Sequence, residues 1–384
     1  MPRGLDMKIV VLGVGYVGNV IARDLAEDPS IEVSIVDINQ DVLDRLTHDF
    51  DLHGICADLS NHSIIKDIVK DFDLVIGALP SSIGYKSLEA VIEAGKNIVD
   101  ISFFEEDALS LDELAKEKGV TAVVDCGVAP GSSNIILGYI DSVLDTTESF
   151  LCYVGGLPVE RNWLFDYKSP YPPIEVIEDY ILLARYIENS EIAVKPALSE
   201  LELLDFPEVG TLVAINTDGL RTLIKTMDIP FMKEKTLRYP DHIEKMQMLI
   251  EAGFLNTEEI DVKGKKIKPI ELTGKLLLDH WMFEEGDEDH TFMKIVIEGM
   301  KDDKKLRYTY DMLDKYDREK RILSIARTTG YTCTAVAQIV LEGKFKEKGI
   351  IPPELLGKHS EVYHQVIEYL WKRNVIFKET IEEL

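Results

Sequence analysis

Between an apolar stretch, Lys8 to Leu12, and an amphipathic segment, Asn19 to Ala26, the chain places Gly13-Val14-Gly15-Tyr16-Val17-Gly18. Three glycines at this spacing between a strand and a helix point to a βαβ unit built around a dinucleotide. Gly13 permits the tight turn, Gly15 lets the backbone approach a pyrophosphate, and Gly18 lets helix and strand pack closely. Tyr16 and Val17 complete the turn, where the positive helix N-terminus receives the phosphates. A second signal lies 22 residues after Gly15: Asp37, at the end of the next apolar run, suits the adenosine ribose hydroxyls. A carboxylate there repels the 2′-phosphate of NADP, and Ile38, Asn39 and Gln40 supply no offsetting cation. The reading is therefore NAD ahead of NADP, with Arg45 as the one nearby cation that would favour NADP. Asp58, after the third apolar run, is read as bordering the adenine, with a helix N-cap as the alternative.

From Lys8 onward, short β-branched runs alternate with amphipathic stretches, which predicts a mostly parallel sheet covered on both faces. Strands are expected at Lys8 to Leu12, Glu32 to Val36, Gly54 to Ala57, Leu74 to Ala78, Asn97 to Asp100 and Thr121 to Asp125. Helical spacing is clearest at Lys86 to Ala94 and Leu111 to Glu117. After Pro130 the alternation stops, and strand-like pieces such as Phe150 to Val154 and Thr211 to Ile215 appear among tyrosines and prolines. The fold class is thus α/β: a doubly wound parallel Rossmann sheet with a second α+β substrate and dimerisation domain. The boundaries read 7–128 for the first, 129–325 for the second, and 326–384 for C-terminal helices packing back on the first. Those helices are expected at Thr332 to Glu342 and Glu354 to Lys372. The run Glu284 to Asp289 is expected to be a solvated acidic loop.

The formal charge of −27 repels phosphate backbones and anionic lipid, so neither nucleic acid nor a membrane is an expected partner. The four cysteines form no CxxC pair and read as reduced thiols of a cytoplasmic protein. Eight histidines show no metal-ligand spacing, and no metal is expected. No stretch has the length of a membrane span or the pattern of a signal peptide. The six residues before Met7 are read as a leader or an upstream start.

Three strand ends should converge on one edge of the sheet. Ala78-Leu79-Pro80-Ser81-Ser82 combines a fixed turn with small residues, placing Leu79 and Pro80 at the nicotinamide half of the ligand. Asp100-Ile101-Ser102 and Asp125-Cys126-Gly127-Val128-Ala129-Pro130-Gly131 follow the next two strands. Asp100 reads either as a site carboxylate or as a cap for the next helix. Cys126 taken alone reads as a small buried apolar residue.

These segments, together with Tyr153-Val154-Gly155-Gly156-Leu157-Pro158 and Thr236-Leu237-Arg238-Tyr239-Pro240-Asp241-His242, resemble the saccharopine dehydrogenase family. Within it the chain is most similar to the archaeal and bacterial L-lysine 6-dehydrogenases, through Arg327-Thr328-Thr329-Gly330-Tyr331-Thr332 and Ile351-Pro352-Pro353-Glu354-Leu355-Leu356-Gly357. The resemblance implies a homodimer and NAD-dependent oxidation of a small amino acid at a carbon bearing nitrogen. For lysine, that means loss of the ε-amine through a hydrolysed imine. The amine must first lose a proton, since an ammonium with a pKa of about 10.4 has no lone pair to assist hydride departure. Asp100, beside the cofactor, and Cys126 are the implied catalytic groups, with His242 as an alternative proton acceptor that also contacts substrate. Arg161, Lys168 and Arg238 are the candidate carboxylate anchors. The chain departs from the family in two places: Ile174 stands where an arginine is usual, and Asp241 where a glycine is usual. Two other functions compete: an imine reductase of saccharopine or carboxynorspermidine type, and a nucleotide-sensing module without catalysis.

Overall fold

The computed structural model describes residues 7–161, 163–171 and 173–384. The proposed leader before Met7 lies outside the described residues, as do Asn162 and Pro172. Six strands open the chain: β1 (Met7–Leu12), β2 (Ile31–Asp37), β3 (His53–Cys56), β4 (Leu74–Gly77), β5 (Ile98–Asp100) and β6 (Thr121–Val123). Alternating with them are α1 (Tyr16–Ala26), α2 (Gln40–Asp49), α3 (His62–Val69), α4 (Ser81–Glu93) and α5 (Asp112–Lys118), and α6 (Ser132–Val143) follows. The strands lie parallel in the order β6-β5-β4-β1-β2-β3. In β1, Ile9, Val10, Val11 and Leu12 are all fully buried, as a central strand covered on both faces requires. β6 stops short of the expected Asp125, where a φ of 51° turns the chain out of the sheet. α4 begins before the expected Lys86, because the Pro80 carbonyl accepts from Ile83 and Gly84 N–H and starts the first turn.

The second sheet is mixed. It uses β7 (Thr146–Pro158), β8 (Leu183–Glu188), β9 (Glu191–Pro196), β10 (Glu202–Phe206), β11 (Gly210–Asn216), β12 (Phe231–Arg238), β15 (Asp289–Lys301) and β16 (Lys304–Lys315). Between these run α7 (Pro173–Ile181), α8 (Leu223–Thr226), α9 (Pro240–Glu251), the small hairpin β13 (Ile260–Val262) and β14 (Lys265–Ile267), and α10 (Pro269–Trp281). β7 and β12 pair in parallel, whereas β7 and β15 pair antiparallel. One core joins Ile177 and Tyr180 of α7, Ile243 and Met246 of α9 and Trp281 of α10 to Leu157, Ile215, Leu237 and Phe292 of the sheet. The acidic run is not simply a solvated loop. Asp287 pairs with Lys168, and Asp289 is fully buried as the first residue of β15.

The last elements are α11 (Ser324–Leu341), β17 (Gly349–Ile351), α12 (Pro353–Gly357), α13 (Ser360–Lys372) and β18 (Lys378–Glu383). The chain forms two compact units, one running to Val143 and resuming over Ala326–Val375, the other made of Leu144–Ile325 and Ile376–Leu384. β17 extends the first sheet to seven strands by pairing in parallel with β6, a strand that three residues ahead of Pro352 did not reveal. The helix expected over Glu354 to Lys372 is two helices, with His359 as the N-cap residue of α13. β18 instead pairs with β16 in the second unit. Among the described residues no helix is long and apolar enough to cross a membrane.

Candidate active site

In the first unit the three fingerprint glycines meet different surroundings. Gly13 has a φ of +89°, and a Cβ on it would overlap the Ala78 carbonyl oxygen. A Cβ on Gly18 would overlap the Gly13 carbonyl oxygen. Both positions exclude a side chain through the protein's own packing. At Gly15 an added Cβ would meet nothing within 4 Å. This opening lies at the N-terminus of α1, which carries no side-chain cap and no acidic residue in its first turn. The positive end of the helix therefore meets open space at Gly15, the surroundings a pyrophosphate requires. Val17 is buried behind the turn, and Tyr16 stands partly exposed.

Asp37 is fixed at the rim of this cradle. Its Oδ2 accepts from Val14 N–H at 3.0 Å and its Oδ1 from Asn39 N–H at 2.9 Å. Each carboxylate oxygen keeps a further lone pair for a ribose hydroxyl. The residues fit a dinucleotide. Asp58 is exposed; its carboxylate accepts from Ser60 N–H at 3.0 Å, and hydrogen bonding to the Ser60 side chain, then to this N–H, holds its pKa below the ordinary value. The cap of α3 is Asn61 instead.

The ends of β4, β5 and β6 come together as the topology predicts. Leu79 N–H donates to Ser102 Oγ at 3.1 Å, Pro80 starts α4, and Cys126 N–H donates to the Asp100 carbonyl at 3.0 Å. Asp100 caps no helix: its Oδ1 accepts from Ser102 N–H at 2.5 Å, and its carboxyl lies against Gly77, where a Cβ would collide with it. Burial raises its pKa to about 7, against the Ser102 hydrogen bonds and with the help of the Asp125 charge. This carboxyl can both hold and release a proton near neutrality. Cys126 is fully buried, and burial, then Asp125 and Asp100, push its thiol well up. It is a protonated, apolar neighbour of Asp100 and not a thiolate. Sequence reasoning assigned no role to Ser102, whose bonds to Leu79 and Asp100 tie two strand ends together.

In the second unit His242 is fully buried. Its Nδ1 faces the Phe165 carbonyl at 2.9 Å and so carries the proton, while Nε2 accepts from Tyr180 Oη at 2.8 Å. Burial, and then Arg238, depress its pKa to about 3. With both nitrogens engaged, the ring orients Tyr180, whose oxygen in turn accepts from Arg238 Nε at 2.8 Å. Arg238 also donates to the Leu237 carbonyl and lies over the Tyr167 ring, with Asp179 Oδ2 at 3.4 Å. Lys168 Nζ is 2.5 Å from Asp287, and Arg161 Nη2 is 2.9 Å from Asp241 and 3.3 Å from Asp166. All three candidate anchors thus have aspartate partners. Ile174, the second residue of α7, packs toward Gly274 of α10. Tyr180, Asp179 and Asp287 escaped the sequence reading because their partners lie far along the chain.

A family model described as saccharopine dehydrogenase NADP binding domain matches residues 9–123, and one described as saccharopine dehydrogenase C-terminal domain matches residues 127–376. The chain belongs to the saccharopine dehydrogenase family. Residues 9–123 are thereby the nicotinamide nucleotide domain of that family. Among its relatives, the mitochondrial alpha-aminoadipic semialdehyde synthase of Mus musculus is 20% identical over 96% of this chain, which spans less than half of that protein's length, 47%. Carboxyaminopropylagmatine dehydrogenase of Synechocystis sp. is 23% identical, covering 94% of this chain and 98% of its own. Saccharopine dehydrogenase [NADP(+), L-glutamate-forming] of Saccharomyces cerevisiae is 22% identical over 68% of this chain and 62% of its own. Apo saccharopine dehydrogenase (L-Glu forming) from Saccharomyces cerevisiae superposes with a TM-score of 0.80 at 17% identity, covering 98% of this chain and 100% of that one. That similarity establishes the shared fold.

Proposed function

We propose that this family member is an NAD-dependent oxidoreductase of an amino acid carbon–nitrogen bond, and that its reaction is oxidative deamination of the lysine ε-amine. The observation that carries the reading is Asp100, a buried carboxyl with a pKa of about 7 bonded through Ser102 to the Leu79 segment. A bound nicotinamide nucleotide supplies the hydride acceptor. Asp100 takes the proton that the substrate ammonium must lose before its carbon can give up hydride. Water then hydrolyses the substrate imine to an aldehyde and ammonia. In the second unit Arg238, held by Tyr180 and His242, is the grip for the single lysine carboxylate, because its aspartate contact is long at 3.4 Å. Asp37 supports NAD, since its fixed carboxylate repels a 2′-phosphate, although the family model and the yeast relative carry NADP in their descriptions.

A second reading, an imine reductase that joins an amine to an aldehyde, is favoured by the names of the saccharopine and carboxyaminopropylagmatine dehydrogenase relatives. Initial rates separate the two. Lysine-dependent formation of NADH is expected; turnover only with NADPH, a semialdehyde and glutamate would replace the first reading with the second. A homodimer is part of the proposal, and light scattering on the purified protein checks it.

A further inference from the structure

Cations and aspartates pair closely in the second unit, and the balance around Arg161 has a particular form. The Arg161 guanidinium lies 4.8 Å from the centre of the Tyr239 ring, with Nη2 at 2.9 Å from Asp241 and 3.3 Å from Asp166. Asp166 is buried and shared, because Lys245 Nζ stands 3.4 Å from the same oxygen. Two cations therefore meet two carboxylates. With Asp166 matched by Lys245, Asp241 cancels the charge that Arg161 would otherwise offer to solution. Asp241 sits in the first turn of α9, directly after Pro240, so the helix fixes its backbone. The side chains of Arg161 and Asp241 are 47% and 61% exposed, so a solute can reach both.

Resting on the lysine reading above, we propose that Asp241 is a specificity determinant: by pairing with Nη2 of Arg161 it admits an amine with one carboxylate and disfavours an amine conjugated to a dicarboxylic acid. A guanidinium fork takes one carboxylate in two-point fashion. An incoming second carboxylate must displace Asp241 or lie beside it as a like charge, and either arrangement works against binding. A lysine carboxylate held by Arg238 does not compete for that fork. Exposed pairs are weak, so the selection is graded, about tenfold, and not absolute.

The test compares kcat/KM with NAD for L-lysine and for saccharopine, the lysine derivative whose ε-nitrogen carries a glutarate, using the full chain. The wild-type protein should favour lysine. Asp241→Asn, which keeps shape and loses charge, should shift the ratio toward saccharopine about tenfold, and adding Arg161→Met should remove the gain; thermal melting confirms that both variants fold. A ratio unmoved by Asp241→Asn, a gain that survives loss of Arg161, or equal wild-type use of both substrates would overturn this inference alone. Turnover of neither substrate would overturn the lysine reading and this inference with it.

Discussion

At Gly15 an added methyl group meets no protein atom within 4 Å, whereas at Gly18 it collides with the Gly13 carbonyl. The two alanine variants should therefore fail differently. Gly15→Ala should keep its melting temperature and lose nucleotide affinity by about tenfold or more, because the methyl intrudes where the phosphates approach. Gly18→Ala should be destabilised by about 1–3 kcal/mol through overpacking, read as a lower urea midpoint. The carboxylate of Asp37 makes a separate prediction. Asp37→Asn keeps an acceptor for Val14 N–H but removes the charge, and the ratio of kcat/KM for NAD over NADP should fall about tenfold. Asp100 couples the site to pH. Its folded pKa, about 7, lies above the unfolded value near 3.8, so its stability contribution is fully present below pH of about 4 and is lost as pH rises through 7. Asp100→Asn should consequently be more stable than wild type at pH 8, by an amount that shrinks toward pH 5, while turnover falls. A stability difference independent of pH would contradict the assignment.

At the scale of elements, the site depends on close backbone approaches. A Cβ at Gly138 of α6 would overlap the Glu354 carbonyl of α12, and one at Gly357 would overlap the Ile135 carbonyl. The Glu354 carboxylate also accepts from Asn134 at 3.0 Å, and Asn134 in turn accepts from Gly131 N–H in the loop after β6. Gly138→Ala should cost about 2 kcal/mol or more, seen as a lower denaturant midpoint. Those contacts give the Ile351 to Gly357 segment, prominent in the sequence but without an evident role there, a structural purpose. The parallel strands were legible because β-branched runs and glycines at strand ends are local signals. β17 was not, since three residues acquire strand character only by pairing with β6, more than 200 positions earlier. The same distance effect explains the candidate site. Asp100, Asp37 and the glycines could be read locally, whereas the neutrality of His242 and the protonated thiol of Cys126 arise from burial and from partners brought in by folding.

For the molecule as a whole, one unit supplies a nucleotide cradle with a titratable carboxyl at its strand ends, and the other supplies an ordered guanidinium and a charge-balanced cluster. The proposed chemistry assigns hydride acceptance to a nucleotide in the first and amino acid recognition to the second. Lysine carrying deuterium at its ε-carbon examines that division of labour directly. After incubation with the protein and NAD, nuclear magnetic resonance of the recovered nucleotide should show deuterium on the reduced nicotinamide ring, in proportion to the ammonia released. Ammonia release without label on the ring, or label that stays entirely on unreacted lysine, would contradict the account.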